Sequence, residues 1–579
     1  MSIKTDRRAL LRGAAFTGAV GAIGGCERFQ IRSVAANPST DIDPKITTRS
    51  IAEAEKLQGI SFSAAERGMM LDDIENRLTT LAGLRLMDMP NGLAPAMVFN
   101  PKLPRKKISS QKNRLSLPLI SRALPENEAD IAYASVNELG HWLRNGSLTS
   151  AQLTDLYLRR ITKHNGELNA FITITEGLAR EQAAKADVDF SNGRDRGPLH
   201  GIPYGLKDLA DTKGILTSWG ATPFKDRIPD SDAEVTRKLR LAGAVLLGKT
   251  ACGAIAYGDQ WFGARTRNPW NSDEGSSGSS AGSASAVAAG LCGFAIGTET
   301  LGSIISPSER CGTTGLRPTF GRVSRAGFMA LCWSLDKVGP ICRTVEDNAA
   351  VLSAINGYDA DDPGAARVGF TYEPLDLLQM TVGYVPEWFE EGDESDRKAL
   401  EALRSLGITL KEFPWPEIDL SALSEIVQVE AAAAFSDLTL TDRDDELAWQ
   451  AKEAWPNSWR AARFVSAVDY IQIDRLRRRV MEAMNSAFDG FDALIGPHFA
   501  GGALLATNAT GHPQLALRAG FSQRPTVSLF DEPIQKQTFK APRGVSLWSD
   551  LFEERKIIAI GAALEKTLGV QDARPPAFS

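Results

Sequence analysis

The sequence has few cysteines and histidines, no long apolar run and no surplus of basic residues. Six cysteines in 579 residues, with no Cys-x-x-Cys pair, do not indicate a disulfide framework. Five scattered histidines and no His-Glu-x-x-His motif argue against a metal site, and no pattern indicates a cofactor. The net charge of −6 argues against a nucleic-acid binder. The 43% of hydrophobic and 23% of charged residues are typical of a soluble globular protein.

The first 36 residues have the pattern of an export signal. The pair Arg7-Arg8 precedes an uncharged run that ends at Cys26 and is shorter than the roughly 18 residues of a membrane span. Paired arginines before such a run indicate the twin-arginine export route. Two cleavage positions fit, one before a lipidated Cys26 and one after residue 36. We therefore expect a periplasmic or cell-envelope protein, held to a membrane only through a lipid on Cys26.

The remaining chain divides into an accessory segment, residues 37–129, and a main domain, residues 130–579. Apolar residues at helical spacing predict helices between residues 50 and 85, and a Pro- and Lys-rich stretch predicts irregular chain after them. The segment either packs on the main domain or is a spacer.

The main domain alternates helical patterns with short apolar runs, which indicates α/β layers. The predicted helices are Ser135–Leu143, Ser150–His164 and a charged helix around residues 395–406. The predicted strands are Ala244–Leu247, Leu291–Ile296 and Thr381–Val385.

Residues 243–250, GAVLLGKT, match the P-loop pattern. A P-loop requires a glycine-rich turn between a strand and a helix, so that backbone N–H groups surround a phosphate. Here the four middle residues are themselves the predicted strand, so we do not expect nucleotide binding.

Residues 278–282, GSSAG, match the nucleophile-elbow pattern with Ser280 at its centre. That motif requires a strand directly before the serine, whereas the preceding residues, NPWNSDEGS, predict a loop. A hydrolase that uses Ser280 with His498 or His512 is the alternative that this motif leaves open.

Three segments rich in small residues each contain one reactive side chain. They are GPLHGIPYGLKDLADTKG around Lys207, GSSGSSAGSASAVAAG around Ser279 and GTETLGSIISPSERCGTTGLRPTFGRVSRAG around Ser303. In order and spacing they closely resemble the amidase signature family of serine hydrolases, and the resemblance covers about residues 130–575. It implies an α/β fold with a mixed central β-sheet and helices on both sides.

The same resemblance implies a role for each side chain. Lys207 matches the base, Ser279 the relay serine on a cis peptide bond, and Ser303 the nucleophile that forms the acyl-enzyme. The backbone N–H groups that match the oxyanion loop are those of Thr300, Leu301, Gly302 and Ser303.

Lysine can activate a serine only in its neutral form. Its unperturbed pKa is near 10.4, so work near pH 7 requires a pKa about 3 units lower, or roughly 4 kcal/mol. Burial among apolar neighbours shifts the pKa of Lys207 in that direction. The effect of the adjacent Asp208 depends on where its carboxylate points.

The nucleophile segment departs from the common family pattern, which has Asp, Gly and Arg where this chain has Glu299, Leu301 and Ile305. We expect Leu301 to narrow or reshape the acyl side of the pocket. The missing arginine at 305 is expected to be compensated elsewhere. These changes affect the expected substrate more than the expected chemistry.

We therefore predict an enzyme that hydrolyses a carbon–nitrogen bond in a small or medium organic amide through a serine acyl-enzyme. The alternatives are the glutamine-hydrolysing subunit of a tRNA-dependent amidotransferase, an esterase of the same fold, and an inactive lipid-anchored binding protein. The expected partner is the small-molecule amide or ester, and a homodimer fits the sequence as well as a monomer. The aromatic residues that line the substrate entrance or pack between helices are Trp449, Trp455, Trp459 and Phe464.

Overall fold

The structure, a computed structural model, describes residues 46–529 and 532–579. The predicted export signal and Cys26 lie outside the described residues. Among the described residues, no helix combines the length and the apolar character of a membrane span.

The accessory segment begins with two helices, α1 (Thr48–Gln58) and α2 (Ala64–Arg85), in the region where the apolar spacing predicts them. Both begin with a capping box, in which Thr47 and Ser63 accept backbone N–H bonds of the first turn. No side chain of α2 is buried.

The irregular chain after α2 bonds to the main domain at several points. Asn91 Nδ2 donates to the carbonyl of Ala330 (2.8 Å), and Lys106 Nζ lies 2.5 Å from the Asp550 carboxylate. A two-residue strand, β1 (Arg114–Leu115), pairs in parallel with a strand at residues 371–372. This stretch is therefore packed on the main domain.

The other helices follow in chain order. They are α3 (Glu128–Ala132), α4 (Val136–Arg144), α5 (Ser150–Leu168), α6 (Glu176–Ser191), α7 (Glu234–Leu241), α8 (Ala281–Ala288), α9 (Ile305–Cys311), α10 (Val345–Ile355), α11 (Pro386–Glu390), α12 (Glu394–Ser405), α13 (Glu425–Ala434), α14 (Ser436–Leu440), α15 (Trp455–Ala462), α16 (Ala467–Ala487), α17 (Ala503–Thr510) and α18 (Glu554–Leu568). Short 3₁₀ helices cover Thr222–Phe224, Ala254–Ala256, Leu377–Gln379, Ser421–Ser424, Arg443–Glu446, Ala500–Gly502 and Pro576–Phe578.

The other strands also follow in chain order. They are β2 (Phe171–Ile174), β3 (Pro203–Lys207), β4 (Val245–Thr250), β5 (Arg267–Asn268), β6 (Asn271–Gly275), β7 (Phe294–Glu299), β8 (Thr314–Arg317), β9 (Lys337–Cys342), β10 (Thr371–Tyr372), β11 (Thr381–Tyr384), β12 (Thr409–Glu412), β13 (Ala493–Pro497), β14 (Gln514–Val527) and β15 (Pro533–Trp548).

Among the described residues, one sheet of 11 strands forms the centre, in the order β12-β11-β13-β15-β14-β8-β9-β7-β3-β4-β2. It is mixed, since β3 runs parallel to both β4 and β7 whereas β7 and β9 are antiparallel. The predicted α/β fold with a mixed sheet flanked by helices is confirmed.

The predicted apolar strand at 291–296 is displaced towards the carboxyl terminus. The structure has β7 at Phe294–Glu299, and Leu291–Gly293 form a bend before it, where the Gly293 N–H donates to the carbonyl of Pro203 in β3 (2.8 Å). Since β3 and β7 are parallel, their carboxyl ends lie at the same edge of the sheet. That edge is where an α/β sheet commonly holds its functional residues.

Candidate active site

Lys207, the last residue of β3, is completely buried at the carboxyl edge of the sheet. Its Nζ donates to the hydroxyls of Ser279 (2.8 Å), Ser280 (3.0 Å) and Thr298 (2.8 Å). Burial lowers the Lys207 pKa to about 7, because an ammonium group loses its hydration in the interior. The depressed pKa predicted from the sequence is confirmed.

Asp208 does not neutralise the neighbouring lysine. Its carboxylate accepts hydrogen bonds from the Ser218 N–H (2.9 Å) and hydroxyl (2.5 Å) and lies 3.7 Å from Lys249 Nζ. The carboxylate therefore points towards Lys249, and Lys207 keeps only hydroxyl and carbonyl partners.

Ser279 follows a cis peptide bond with Gly278 in the loop before α8. A Cβ at Gly278 would lie 1.8 Å from the carbonyl oxygen of Gly258, so a glycine is required at this close approach. Ser277 is held by its N–H bond to the Asp259 carboxylate (3.1 Å). The loop thus presents the Ser279 hydroxyl to Lys207 from a fixed backbone.

Ser303 lies beside Ser279 and Lys207, because the N–H of Ser280, the residue after Ser279, donates to the Ser303 carbonyl (3.1 Å). The three residues differ in solvent exposure: 9% of Ser303 is exposed, but only 1% of Ser279 and none of Lys207. Within the described residues, the Ser303 hydroxyl has no protein hydrogen-bond partner. The structure therefore brings together the three predicted residues and leaves Ser303 as the one that a ligand reaches.

The loop after β7 carries four backbone N–H groups that bond to no other group of the described chain. They belong to Thr300, Leu301, Gly302 and Ser303. Gly302 has φ +92°, a conformation that side-chain-bearing residues rarely adopt. Unpaired N–H groups in such a loop form an anion-binding concavity, which is the arrangement that the predicted oxyanion loop requires.

Glu299, the last residue of β7, holds this loop through hydrogen bonds to its carboxylate. Its Oε2 accepts the N–H groups of Ile304 (2.8 Å) and Ile305 (3.0 Å) at the start of α9. Its Oε1 accepts hydrogen bonds from Arg317 (2.9 Å) and Asn508 (3.0 Å). These donors outweigh burial and lower the pKa of the Glu299 carboxyl. The positive charge beside Glu299 thus comes from Arg317, while Ile305 is buried.

Two further residues support the site and were missed in the sequence. Thr298 is uncharged, and its hydroxyl is the third that accepts a hydrogen bond from Lys207. Asp336 accepts the Thr300 hydroxyl (2.6 Å) and the N–H groups of Leu331 and Cys332. The signal for Thr298 was a hydroxyl that follows the apolar residues Phe294–Ile296 of β7. Asp336 had no local signal, since it lies on a different loop from the residues it holds.

A cleft of about 320 Å³ opens from Ser303. Its apolar wall consists of Leu301, Leu331, Val427, Phe499, Leu504 and Leu529. Leu301 thus lines the cleft beside the nucleophile, as expected. Of the aromatic residues considered for the entrance, Trp455 lines the cleft, whereas Trp459 stacks on Phe435 and Phe464 is 59% exposed outside it.

The nucleophile-elbow alternative does not fit the structure. The Ser280 hydroxyl is buried and is occupied by Lys207 and by the backbone of Thr298. His498 bonds Ser546 (2.7 Å) and His512 bonds Thr510 (2.7 Å). Neither histidine bonds Ser280, and burial lowers their pKa values to about 3 and about 4.

The P-loop pattern is also a coincidence of spacing, as predicted. Residues 245–250 are strand β4, and Lys249 is buried with its Nζ on the Ala210 carbonyl (2.6 Å) and the Thr217 hydroxyl (2.8 Å). No α-helix follows this lysine directly in the described chain, which continues through residues 251–253 into the 3₁₀ helix Ala254–Ala256. In the described residues, no group of three or more His, Cys, Asp or Glu side chains has the arrangement of a metal site.

The chain is similar to known proteins along most of its length. The amidase family profile matches residues 152–540. A glutamyl-tRNA(Gln) amidotransferase subunit of Rippkaea orientalis is 32% identical over 76% of this chain and 99% of its own length. The corresponding protein of a Marinomonas species is 41% identical over 53% of this chain, but the match spans only 65% of that protein.

A solved structure gives a second comparison. The peptide amidase of Stenotrophomonas maltophilia is 29% identical with a TM-score of 0.66, and the match covers 78% of this chain and all of that chain. The residues matched by the amidase profile, 152–540, include Lys207, Ser279 and Ser303.

Proposed function

We propose that this chain, which belongs to the amidase signature family, hydrolyses a carbon–nitrogen bond of a small or medium organic amide through an acyl-enzyme on Ser303. One observation carries the proposal: a lysine with a pKa of about 7 bonds a buried serine next to a cleft-facing serine. A neutral lysine at this place is a base near pH 7.

The proposed reaction has two halves. Neutral Lys207 takes a proton through Ser279 while the Ser303 hydroxyl attacks the carbonyl carbon. Free N–H groups of residues 300–303 stabilise the developing oxyanion, and the loss of one such donor typically costs about 3–4 kcal/mol. The proton then passes to the leaving amine, and water attacks the acyl-enzyme by the same route to release the acid and restore Ser303.

Labelling with a fluorophosphonate probe tests the proposed nucleophile. We expect one adduct per chain by intact-mass spectrometry, mapped to Ser303 by peptide sequencing. The variant Ser280→Ala is the matched control and should still be labelled. An adduct on Ser280, or labelling that persists in Ser303→Ala, would overturn the assignment. Ammonia or amine release from a panel of amides, with matched esters, then separates an amidase from an esterase.

A second candidate is the glutamine-hydrolysing subunit of a tRNA-dependent amidotransferase, which the two amidotransferase relatives favour. Free glutamine carries an α-carboxylate, for which a lysine or arginine is a common partner. No lysine or arginine lines the cleft among the described residues, which favours the main proposal. If glutamine released ammonia faster than simple amides did and a partner protein copurified, the amidotransferase subunit would become the better-supported function.

We also propose that the protein is exported through its Arg7-Arg8 signal. Cell fractionation tests this, with Arg7→Lys/Arg8→Lys as the variant that should retain the protein in the cytoplasm. Incorporation of labelled fatty acid, lost in Cys26→Ala, would distinguish lipidation from cleavage after residue 36.

A further inference from the structure

The part of the cleft beyond Ser303 contains one charged side chain among the described residues that line it. This is Glu453, whose exposed carboxylate forms no ion pair or hydrogen bond with the described chain. An unpaired carboxylate in the wall of a substrate cleft gives that region a negative potential, which attracts a cation and repels a carboxylate.

Two aromatic rings lie next to this carboxylate. The rings of Tyr257 and Trp455 both line the cleft, with centroids 5.0 Å apart. Glu453 lines the same cleft as Tyr257 and precedes Trp455 by two residues, and both burial and the Glu453 carboxylate raise the pKa of the Tyr257 hydroxyl. Trp455 is fixed by its Nε1 bond to the Ile255 carbonyl (2.8 Å). One face of Trp455 stacks on Trp459 (centroids 5.9 Å apart), and aromatic rings that line a cleft attract ammonium groups that reach their open side.

A third group in the same wall is an unused acceptor. The side-chain oxygen of Gln428 is buried and accepts no hydrogen bond in the described chain. A buried acceptor without a donor costs about 1–3 kcal/mol. A ligand N–H that reached this oxygen would remove that cost, so Gln428 and Glu453 both favour a ligand rich in N–H donors.

We propose that this wall of the cleft is an ammonium-binding subsite and that the substrates are amides that also carry a protonated amine. The inference rests on the proposed function, since the subsite matters through the reaction at Ser303. Glu453 supplies the charge, Tyr257 and Trp455 supply ring faces, and Gln428 accepts one N–H. The chemistry predicts selection against carboxylate-bearing amides.

Isosteric substrate pairs test the subsite. One pair is 6-aminohexanoyl p-nitroanilide and heptanoyl p-nitroanilide, which differ in an ammonium or methyl group on the acyl chain. The other is N-(5-aminopentyl)acetamide and N-hexylacetamide, which differ in the same way on the leaving amine. We expect kcat/KM to favour the ammonium member of at least one pair by roughly 5- to 10-fold. The preference should decline with added salt.

The variant Glu453→Gln should abolish that preference, because kcat/KM for the ammonium member should fall to about that of the neutral member. Glu417→Gln is the matched control, since Glu417 is exposed and lies outside the cleft, and it should keep the preference. Equal kcat/KM within both pairs, or a preference that survives Glu453→Gln, would overturn the subsite.

Failure of the proposed reaction remains distinguishable from failure of the subsite. Calorimetric binding of 6-aminohexanamide and heptanamide to Ser303→Ala measures the ammonium preference without turnover. If the wild-type protein hydrolyses none of the amides but binds the ammonium member more tightly, the proposed function fails and the subsite stands. If it hydrolyses them without an ammonium preference, the subsite fails alone.

Discussion

Lys207 Nζ lies 2.8 Å from the Ser279 hydroxyl, and its charge is opposed by burial rather than balanced by a carboxylate. Because only the neutral amine is a base, kcat/KM should fall about tenfold per pH unit below pH 7 and level off above it. The measurement is the pH dependence of kcat/KM on a neutral amide.

Lys207→Arg is the matched variant for this profile, because arginine keeps the positive charge but does not lose its proton. It should be inactive at every pH. A flat profile from pH 5 to 9, or substantial activity in Lys207→Arg, would mean that the lysine supplies charge and not a base.

Ser303→Ala should abolish turnover, and Ser279→Ala should lower kcat by several orders of magnitude. The first removes the atom that is acylated and the second interrupts the path of the proton between Ser303 and Lys207. Both substitutions are small, so circular dichroism and the melting temperature should change little. Full activity in Ser279→Ala would show that Lys207 acts through Ser280 or Thr298 instead, since both also bond its Nζ.

Much of this site was predictable because its residues lie in three continuous segments. The small residues around Lys207, Ser279 and Ser303 identified the family, and helical spacing located α5 and α12 within a few residues. Asp336 was not predictable, because its bond to Thr300 depends on how two distant loops meet.

The register of the sheet was likewise outside what the sequence indicated. The long hairpin of β14 and β15 joins the two halves of the sheet. The pairing of β14 with β8, which is about 200 residues earlier in the chain, depends on tertiary packing rather than on local sequence pattern. The start of β7 at Phe294 depends likewise on contacts with β3, a strand about 90 residues earlier in the chain.

His498→Ala and His512→Ala should keep kcat/KM within roughly threefold of the wild-type value. His498 bonds the Ser546 hydroxyl and His512 bonds the Thr510 hydroxyl. Each substitution should therefore lower the free energy of unfolding by about 1–3 kcal/mol instead. Kinetics at 25 °C with thermal melts as the control separates the two effects. A loss of activity comparable with that of Ser303→Ala would revive the histidine-based mechanism.

Arg317→Met should destabilise the protein by about 3–5 kcal/mol. The substitution leaves the Glu299 carboxylate buried without its cation, although Asn508 and two N–H groups still donate to it. Glu299→Gln/Arg317→Met should recover part of the loss, because glutamine removes the unpaired charge and keeps an acceptor for the loop. Chemical denaturation of the single and double variants measures both steps. A double variant no more stable than Arg317→Met would show that the pair acts through packing.

Lys207→Met should be inactive, and its stability relative to the wild-type protein should depend on pH in a defined way. The unfolded chain keeps the lysine proton up to about pH 10.5, whereas the folded chain loses it near pH 7. Between these values the unfolded state binds more protons, so wild-type stability rises by about 1.4 kcal/mol per pH unit from this group. Methionine has no such dependence.

Subtracting the two unfolding free energies at each pH therefore isolates Lys207 from every other titrating group. Methionine should have its largest advantage, or smallest deficit, at or below pH 7, and should lose about 1.4 kcal/mol per unit up to pH 10. The loss of hydrogen bonds to the Ser279, Ser280 and Thr298 hydroxyls shifts the whole difference by a constant and leaves its slope unchanged. A difference that stays constant from pH 7 to 10 would mean that Lys207 is protonated throughout in the folded protein and is not the base.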